Sequence, residues 1–353
     1  IEVDRQKIEA EVKGETILVT GAAGSIGSEL ANQLAAMGPK NLILLDAAET
    51  PMHNVMMDFQ IKHPEVEVHY KIGDIRSKQR VENVLKLHEP SIIFHAAAYK
   101  HVPMMESNPC ESILTNVWGT YNLASRAKAH GVRKFIMIST DKAVNPTNIM
   151  GATKRLAEMY IQSLNEEGKT EFITTRFGNV LGSNGSVIPH FKKQIKRGGP
   201  VTVTHPDIIR YFMTIPEACR LVLQAATIGK AEQIMVFDMG EPEKIADLAR
   251  KMIRLAGLEP DKDIHITYTG LRPGEKLYEE LLATKENTLE SEHEKIRIAQ
   301  CIRQDHDTIT AGLLELVEKA KTRNTPQVVK HIKQLVPEFK SNNNKEFEQF
   351  DKK

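Results

Sequence analysis

Glu15-Thr-Ile-Leu-Val-Thr20 runs directly into Gly21-Ala-Ala-Gly24-Ser25-Ile26-Gly27. The first run is apolar and rich in β-branched residues, which reads as a buried strand. Ser28 to Met37 reads as a helix, with Ile26, Leu30 and Leu34 on one face and Gly38-Pro39 as its stop. A glycine-rich turn between strand and helix lets backbone amides and the helix N-terminus approach a pyrophosphate that side chains would obstruct. Gly21, Gly24, Ser25, Ile26 and Gly27 are therefore assigned to a dinucleotide. The spacing is Gly-x-x-Gly-x-x-Gly rather than the more familiar Gly-x-Gly-x-x-Gly, so context must carry the reading. That context includes Asp46, which closes the second apolar run, Asn41-Leu-Ile-Leu-Leu-Asp46. An acid there accepts from the adenosine ribose hydroxyls and repels a 2′-phosphate, which favours NAD over NADP.

Further apolar runs follow at 66–72, 91–95, 134–139, 171–176 and 233–238, separated by helical segments at 48–62, 77–88, 109–130 and 151–167. Strands apolar on both faces and alternating with helices predict an α/β fold, a doubly wound parallel sheet of the Rossmann type. The chain of 353 residues fits about two domains. Residues 1–14 read as a charged lead-in, 15–180 and 213–240 as the NAD-binding domain, and 181–212 with 241–300 as a smaller, split substrate domain. Residues 301–340 read as C-terminal helices, and 341–353, rich in Asn, Lys and Glu, as a mobile tail. Hydrophobic residues at 41% and charged residues at 26% exclude a mainly disordered or fibrous chain. A net charge of +1 gives no global argument for nucleic acid. Cys110, Cys219 and Cys301 lie far apart, and no His, Cys or acidic set has metal-ligand spacing, so no metal is expected.

Two more strand ends point at the cofactor. Gly73-Asp74-Ile75 closes the third strand, where Asp74 either accepts from the adenine amino group, with Ile75 stacked beside it, or caps the following helix. His95-Ala96-Ala97-Ala98 closes the fourth, and its small residues let the backbone pass close to a ligand.

Beyond this point the motifs become individually specific. Ala96-Ala-Ala-Tyr-Lys-His-Val-Pro-Met-Met-Glu106, Thr115-Asn-Val-Trp-Gly-Thr120, Ser139-Thr-Asp-Lys-Ala-Val-Asn-Pro146 and Met150-Gly-Ala-Thr-Lys154 follow in order. Arg176-Phe-Gly-Asn-Val-Leu-Gly-Ser183, Gly185-Ser-Val-Ile-Pro189, Arg210-Tyr-Phe-Met213 and Arg272-Pro-Gly-Glu-Lys276 complete the series. From about Ile17 to Leu282 the chain resembles the UDP-N-acetylglucosamine 4,6-dehydratase family of the extended short-chain dehydrogenase/reductase superfamily. The resemblance implies bound NAD and a lyase reaction with an internal redox step. A hydride moves from sugar carbon 4 to NAD, water leaves across carbons 5 and 6, and the hydride returns to carbon 6. It also implies a role in surface polysaccharide or glycan biosynthesis. Long members of the family carry N-terminal membrane helices before a cytoplasmic catalytic domain. A chain that begins at Ile1 with a charged lead-in looks like such a domain, from a protein anchored in the inner or plasma membrane.

In that superfamily the base is the Tyr of Tyr-x-x-x-Lys, and the Lys holds the nicotinamide ribose and lowers the Tyr pKa. Here Lys154 is kept, but Met150 stands in the Tyr place, and a thioether has no titratable proton. Tyr160 lies ten residues further along the helix, about 15 Å away, and does not replace it. Asp141 and Lys142 follow the strand 134–139, at the catalytic end of a parallel sheet. Adjacent Asp and Lys can supply the acid for the leaving hydroxyl and the base for the carbon-5 proton, with Thr140 hydrogen-bonding the carbon-4 oxygen. A UDP-sugar further needs a diphosphate clamp, for which Arg210 and Arg272 are suited, with Asn179 as an amide donor. Val187 and Ile188 are assigned to the uracil, Glu275 to the uridine ribose and Lys100 to the sugar. Two other readings compete. A nucleotide-sugar 4-epimerase shares fold and cofactor but needs no leaving-group acid. A non-catalytic NAD-binding module would explain Met150 but not the retained Lys154 and Asp141. A homo-oligomer is expected, with helices 109–130 and 151–167 forming the superfamily's usual dimer bundle.

Overall fold

A computed structural model describes residues 1–165, 170–231, 233–281, 287–300 and 304–351. Seven parallel strands form the centre of one sheet: β1 (Thr16–Thr20), β2 (Asn41–Asp46), β3 (Val68–Ile72), β4 (Ile92–His95), β5 (Lys134–Ile138), β6 (Glu171–Arg176) and β7 (Gln233–Phe237). Two further strands, β8 (Asn287–Glu290) and β9 (Ile296–Gln300), extend it antiparallel, in the order β8-β9-β7-β6-β5-β4-β1-β2-β3. Successive residues of β1 serve opposite faces. Leu18 joins a core with Ile43, Ile93, Phe135 and Phe172, while Ile17 and Val19 join one with Leu42, Leu44, Phe94 and Ile136. Both faces are thus covered, which is why these strands read as continuous apolar runs. The strand order reverses between β1 and β4, and a doubly wound sheet opens its ligand crevice at that point.

A second, smaller core lies over the C-terminal ends of the strands. It gathers Phe191, Val201, Val203, Ile208, Ile245, Ala249, Ile253 and Ile264 from the helices Val187–Lys196 and Ile245–Leu255 and the strands between them. This cluster falls within the stretches 181–212 and 241–300 that the sequence assigns to a smaller, split unit, with one correction. The stretch 287–300, assigned there, belongs to the main sheet instead, because Ile296 and Ala299 bury against the β7 side of the core.

Three terminal features also differ from expectation. The lead-in contains a helix, Arg5–Val12, capped by Asp4 and held by buried Ile8 and Val12. The tail from Ser341 is packed, not loose: Phe347 is buried, Gly274 N donates to Asn342 O at 2.7 Å, and Asn344 Nδ2 donates to Glu106 Oε2 at 2.7 Å. Asparagine-rich composition here supplies amides that satisfy a loop, not solvent. The face of 109–130 and 151–167 that was expected to pair with a second subunit is covered in cis. The helix His306–Lys321 packs against both, with Leu313, Leu316 and Val317 buried, and Thr325–Leu335 backs it. Within 109–130 the helix is not regular: Ile113–Gly119 is a wider π-type segment, and Gly119 there gives clearance to Ile75. Among the described residues, no helix is long and apolar enough to cross a membrane.

Candidate active site

The loop after β1 is shaped by close approach. A Cβ on Gly21 would lie 2.6 Å from Ala97 N, and Gly21 has a φ of +66°, so both space and conformation require glycine. A Cβ on Gly27 would lie 2.1 Å from Gly21 O, so the helix Ser25–Ala35 can sit tight on the loop only without it. Gly24 is different: the nearest atom to its notional Cβ is 3.2 Å away, and as the N-cap it offers no side chain to the first-turn amides. Those amides and the helix dipole face a cavity of about 1150 Å³. The loop therefore fits a pyrophosphate, and the residues present suit a dinucleotide. Beneath it, His95 bridges Thr20 and Thr120, and burial, reinforced by Lys154, lowers its pKa to about 3. It is a neutral strut between β1, β4 and the helix Thr120–Ala129.

The same cavity runs from this loop across Ala96 and Ala98, past Lys100, Thr140, Lys142, Met150 and Lys154, to Asn179, Val187, Arg210, Arg272 and Glu275. Most of the residues singled out in the sequence thus line one continuous space. Six do not: Asp46, Asp74, Ile75, Ala97, Asp141 and Ile188. Asp46 accepts from Ala23 N at 3.0 Å and Ala48 N at 2.9 Å, tying the end of β2 to the glycine loop. Each oxygen keeps a lone pair for a ribose hydroxyl. Asp74 is held by Arg76, whose Nε donates to it at 2.7 Å, and the cap of the next helix is Ser77 rather than Asp74. Ile75 is 5% exposed and packs into the space left by Gly119, so the expected stacking on adenine is replaced by core packing.

The residues read from the sequence as candidate acid and base lie on a short 3-10 turn, Asp141–Ala143, that follows β5. Asp141 is fully buried behind the cavity wall. Its Oδ1 accepts from Thr140 Oγ1 at 2.9 Å and from Lys142 Nζ at 3.0 Å. Lys142 Nζ also donates to Asn179 Oδ1 at 3.0 Å, so the amide expected to face diphosphate orients the lysine here. The helix Ile149–Ser163 delivers Met150 and Lys154 one turn apart. Its N-terminus is capped twice, by Asn148 Oδ1 to Gly151 N and by Glu106 Oε1 to Ile149 N, both at 2.7 Å. Lys154 Nζ donates to Ile138 O at 2.7 Å. Burial pushes its pKa down to about 8, and the Glu158 carboxylate one turn on opposes a deeper fall.

That shift carries a stability consequence. Below pH 8 the ammonium is charged in both folded and unfolded chains, and the folded state bears the cost of burying it. Between about 8 and the ordinary lysine value, the unfolded chain binds more protons, so the cost is relieved as pH rises. Lys154→Met should therefore stabilise the fold at pH 7 by up to about 3 kcal/mol. Thermal melts of both forms at pH 7 and pH 9.5 check this: the variant's advantage should shrink at the higher pH, and a lower melting temperature at pH 7 would contradict it.

On the wall of the cavity away from the glycine loop residues, Arg210 is buried. Its Nη1 donates to Ile209 O at 2.7 Å and its Nη2 to Lys276 O at 2.8 Å, which fixes the loop after Arg272. Arg272 is exposed, and its backbone N and guanidinium both donate to Glu275. Glu275 is thus engaged with Arg272 in this conformation.

The family model described as "Polysaccharide biosynthesis protein" matches residues 17–301, from β1 through the substrate unit and back to the sheet. The chain belongs to this polysaccharide biosynthesis family. It is 50% identical over 326 residues to the capsular polysaccharide biosynthesis protein CapD of Staphylococcus aureus, covering 91% of this chain and 54% of that one. It therefore spans about half the length of that relative. It is 35% identical over 279 residues to a protein named UDP-glucose 4-epimerase from Rickettsia bellii, covering 77% of this chain and 79% of that one. Among solved structures, Pen from Bacillus thuringiensis is similar with a TM-score of 0.76 and 34% identity, over 83% of this chain and 90% of that chain. The extended Rossmann-type fold of the family is the one seen here.

Two features around the cavity escaped the sequence reading. Glu106 and Asn344 support the N-terminus of the Met150 helix from far away in sequence, with no local signal. Glu279 lines the cavity and is 3% exposed at the side chain, yet it sits in the run Glu279-Glu280, which reads as a solvated face. Among the described residues, no group of three or more His, Cys, Asp or Glu is placed to hold a metal ion.

Proposed function

We propose that this domain catalyses NAD-dependent 4,6-dehydration of UDP-N-acetylglucosamine to a UDP-4-keto-6-deoxy sugar, a lyase reaction serving surface polysaccharide or glycan biosynthesis. The observation that carries the reading is the replacement of the usual tyrosine by Met150 beside a retained Lys154, with Thr140, Lys142 and buried Asp141 clustered on the adjoining turn. A 4-epimerase moves one hydroxyl proton and needs only one base. A dehydration moves a carbon-bound proton and expels a hydroxyl, which calls for an acid and a base together.

Gly21, Gly24, Ser25, Ile26, Gly27 and Asp46 would hold the NAD, with Ala96 and Ala98 beneath it and Lys154 on the nicotinamide ribose. When bound, NAD supplies a reversible hydride acceptor, so that carbon 4 becomes a ketone and carbon 6 is later reduced. Thr140 orients the carbon-4 oxygen. The ketone acidifies the carbon-5 proton, which Lys142 removes, and Asp141 protonates the departing hydroxyl. Arg210 and Arg272 neutralise the diphosphate, and Asn179, Val187, Glu275 and Lys100, which line the cavity, complete the UDP-sugar contacts. In the whole protein this domain lies on the cytoplasmic side of a membrane anchor and assembles as a homo-oligomer.

Incubation with UDP-N-acetylglucosamine, read by product mass, tests the reading. Loss of one water supports it. An isobaric product means epimerisation, and unchanged substrate means a binding module. Met150 provides a second check. Met150 is 3% exposed, so a phenol there must displace neighbours. Met150→Tyr should leave turnover unchanged or lower, since the acid and base are already supplied. A gain approaching the factor of about 10²–10⁴ that a general base contributes would mean that the site is a damaged tyrosine site.

A further inference from the structure

Gly274 sits where three segments of the chain meet. Its carbonyl accepts from Thr147 Oγ1 and from Asn148 Nδ2, both at 3.1 Å, and its N–H donates to Asn342 O at 2.7 Å. The fit is close: a Cβ on Gly274 would lie 2.5 Å from the Asn148 Cβ, and the φ of Gly274 is +78°. Two of the three segments line the cavity, one through Arg272, Gly274 and Glu275, the other through Asn148 and Met150. The third, residues 340–344, does not line it.

That third segment nevertheless holds both of the others. Asn342 Nδ2 and Asn343 Nδ2 donate to Glu275 O at 3.0 and 3.4 Å. Lys340 N donates to Pro146 O at 3.1 Å, and Asn342 N to Thr147 O at 3.2 Å. Asn344 Nδ2 donates to Glu106 Oε2, and Glu106 Oε1 accepts from Ile149 N, both at 2.7 Å. Ile149 opens the helix that carries Met150 and Lys154, and a carboxylate suits the positive end of that helix. The segment is itself anchored. Buried Lys333 donates from Nζ to Ser341 Oγ at 2.8 Å and pairs with Asp351, and Phe347 is buried. Three successive amide side chains thus send their N–H groups out of their own segment, two to the substrate loop and one to the carboxylate under the helix.

We propose that Asn342, Asn343 and Asn344 are positioning residues of the nucleotide-sugar site. Asn342 and Asn343 hold the loop Arg272–Lys276 in the pose that receives the UDP group. Asn344, through Glu106, holds the start of the helix that places Met150 and Lys154 at the sugar. The proposal rests on the assignment of these two elements to a UDP-sugar. Each arm acts on a different stage, one on binding and the other on the chemical step, so the two leave separate kinetic traces. A general loosening of the fold would not separate them.

Asn342→Ala combined with Asn343→Gly withdraws both side-chain donors from Glu275 O, and glycine accepts the φ of +54° at position 343 without strain. UDP affinity, measured by calorimetry on the NAD-loaded protein, should fall about fivefold or more. KM for UDP-N-acetylglucosamine should rise in step, with kcat within about threefold. Asn344→Ser keeps an oxygen to cap Phe347 N but is too short to reach Glu106. It should lower kcat about fivefold or more, with UDP affinity within about twofold. Asn344→Asp sets two carboxylates face to face and should lower kcat further. Adding Glu106→Gln should restore it, because the new amide donates across the same gap and still accepts from Ile149 N. Either arm leaving its own parameter unmoved overturns the proposal. So does a joint fall of kcat and UDP affinity in both arms without recovery in the double variant, which would make the segment a structural brace. A wild-type protein that binds UDP but returns an isobaric product removes the dehydration reading, and the same two parameters then decide the proposal on epimerisation. A wild-type protein that binds no UDP removes both.

Discussion

Lys142→Met is expected to lower dehydration turnover by about 10²-fold or more, the factor that a positioned acid–base group supplies. The side chain lines the cavity, and its ammonium is held at 3.0 Å from both Asp141 and Asn179. Methionine keeps the length of the stem and removes the group proposed to take the carbon-5 proton. Substrate binding should change little if, as proposed, Arg210 and Arg272 meet the diphosphate charge. Asp141→Asn should give a loss of similar size, because an amide cannot release a proton to the leaving hydroxyl. Each change leaves one member of a buried ion pair without its counter-charge, so both variants should lose some stability, Lys142→Met the more because Asp141 is the more deeply buried partner. Steady-state turnover, with binding of UDP-N-acetylglucosamine measured in parallel, decides the matter. Near-normal turnover in either variant would mean that the roles lie elsewhere.

Gly151→Ala is expected to be nearly as damaging, although the side chain is far from any reacting atom. In an ordinary helix this change stabilises by about 1 kcal/mol. Here the added Cβ would lie 2.1 Å from Lys142 O and 2.9 Å from its carbonyl carbon. The helix that carries Met150 and Lys154 is pressed directly on the turn that carries Asp141 and Lys142. Relief requires about an ångström of separation between them, and misplacement on that scale costs about 10²-fold in rate. Stability should fall by about 1–3 kcal/mol through overpacking, reversing the sign of the helix preference. A higher melting temperature with full turnover would show that the two elements can slide apart freely.

The sequence made β1, β2, β4, β5 and β7 legible because each is almost wholly buried, which leaves a largely apolar run, whereas the edge strand β3, Val-His-Tyr-Lys-Ile, is only partly buried. Strands β8 and β9 were missed for the opposite reason: Thr288, Glu290 and Arg297 interrupt their apolar residues, as suits the rim of a sheet. Glycines were readable as a pattern, but their reasons were not. Gly21 and Gly27 would collide with neighbouring backbone, and Gly24 meets it less severely, at 3.2 Å from Gly21 O. Ile75 was misplaced because an apolar residue at a strand end fits a ligand face and a core equally well; Gly119, 44 positions later, decides between them. The catalytic cluster was legible where its members are adjacent in sequence. Glu279 lines the same cavity as Lys142 from 137 positions further along, and no local rule distinguishes it from Glu280, which is half-exposed beside Lys276.

The helices His306–Lys321 and Thr325–Leu335 occupy from within one chain a face that two-subunit relatives are expected to close with a second copy. A contact made by a tethered segment is governed by its effective concentration, which the connecting chain sets and dilution does not touch. The apolar side of residues 113–129 and 149–163 is therefore sealed even in a lone molecule. The melting temperature of the domain should owe nothing to protein concentration through this face. Any assembly into larger particles has to recruit different surface, and the catalytic helix beneath the seal keeps its support whether or not that assembly forms.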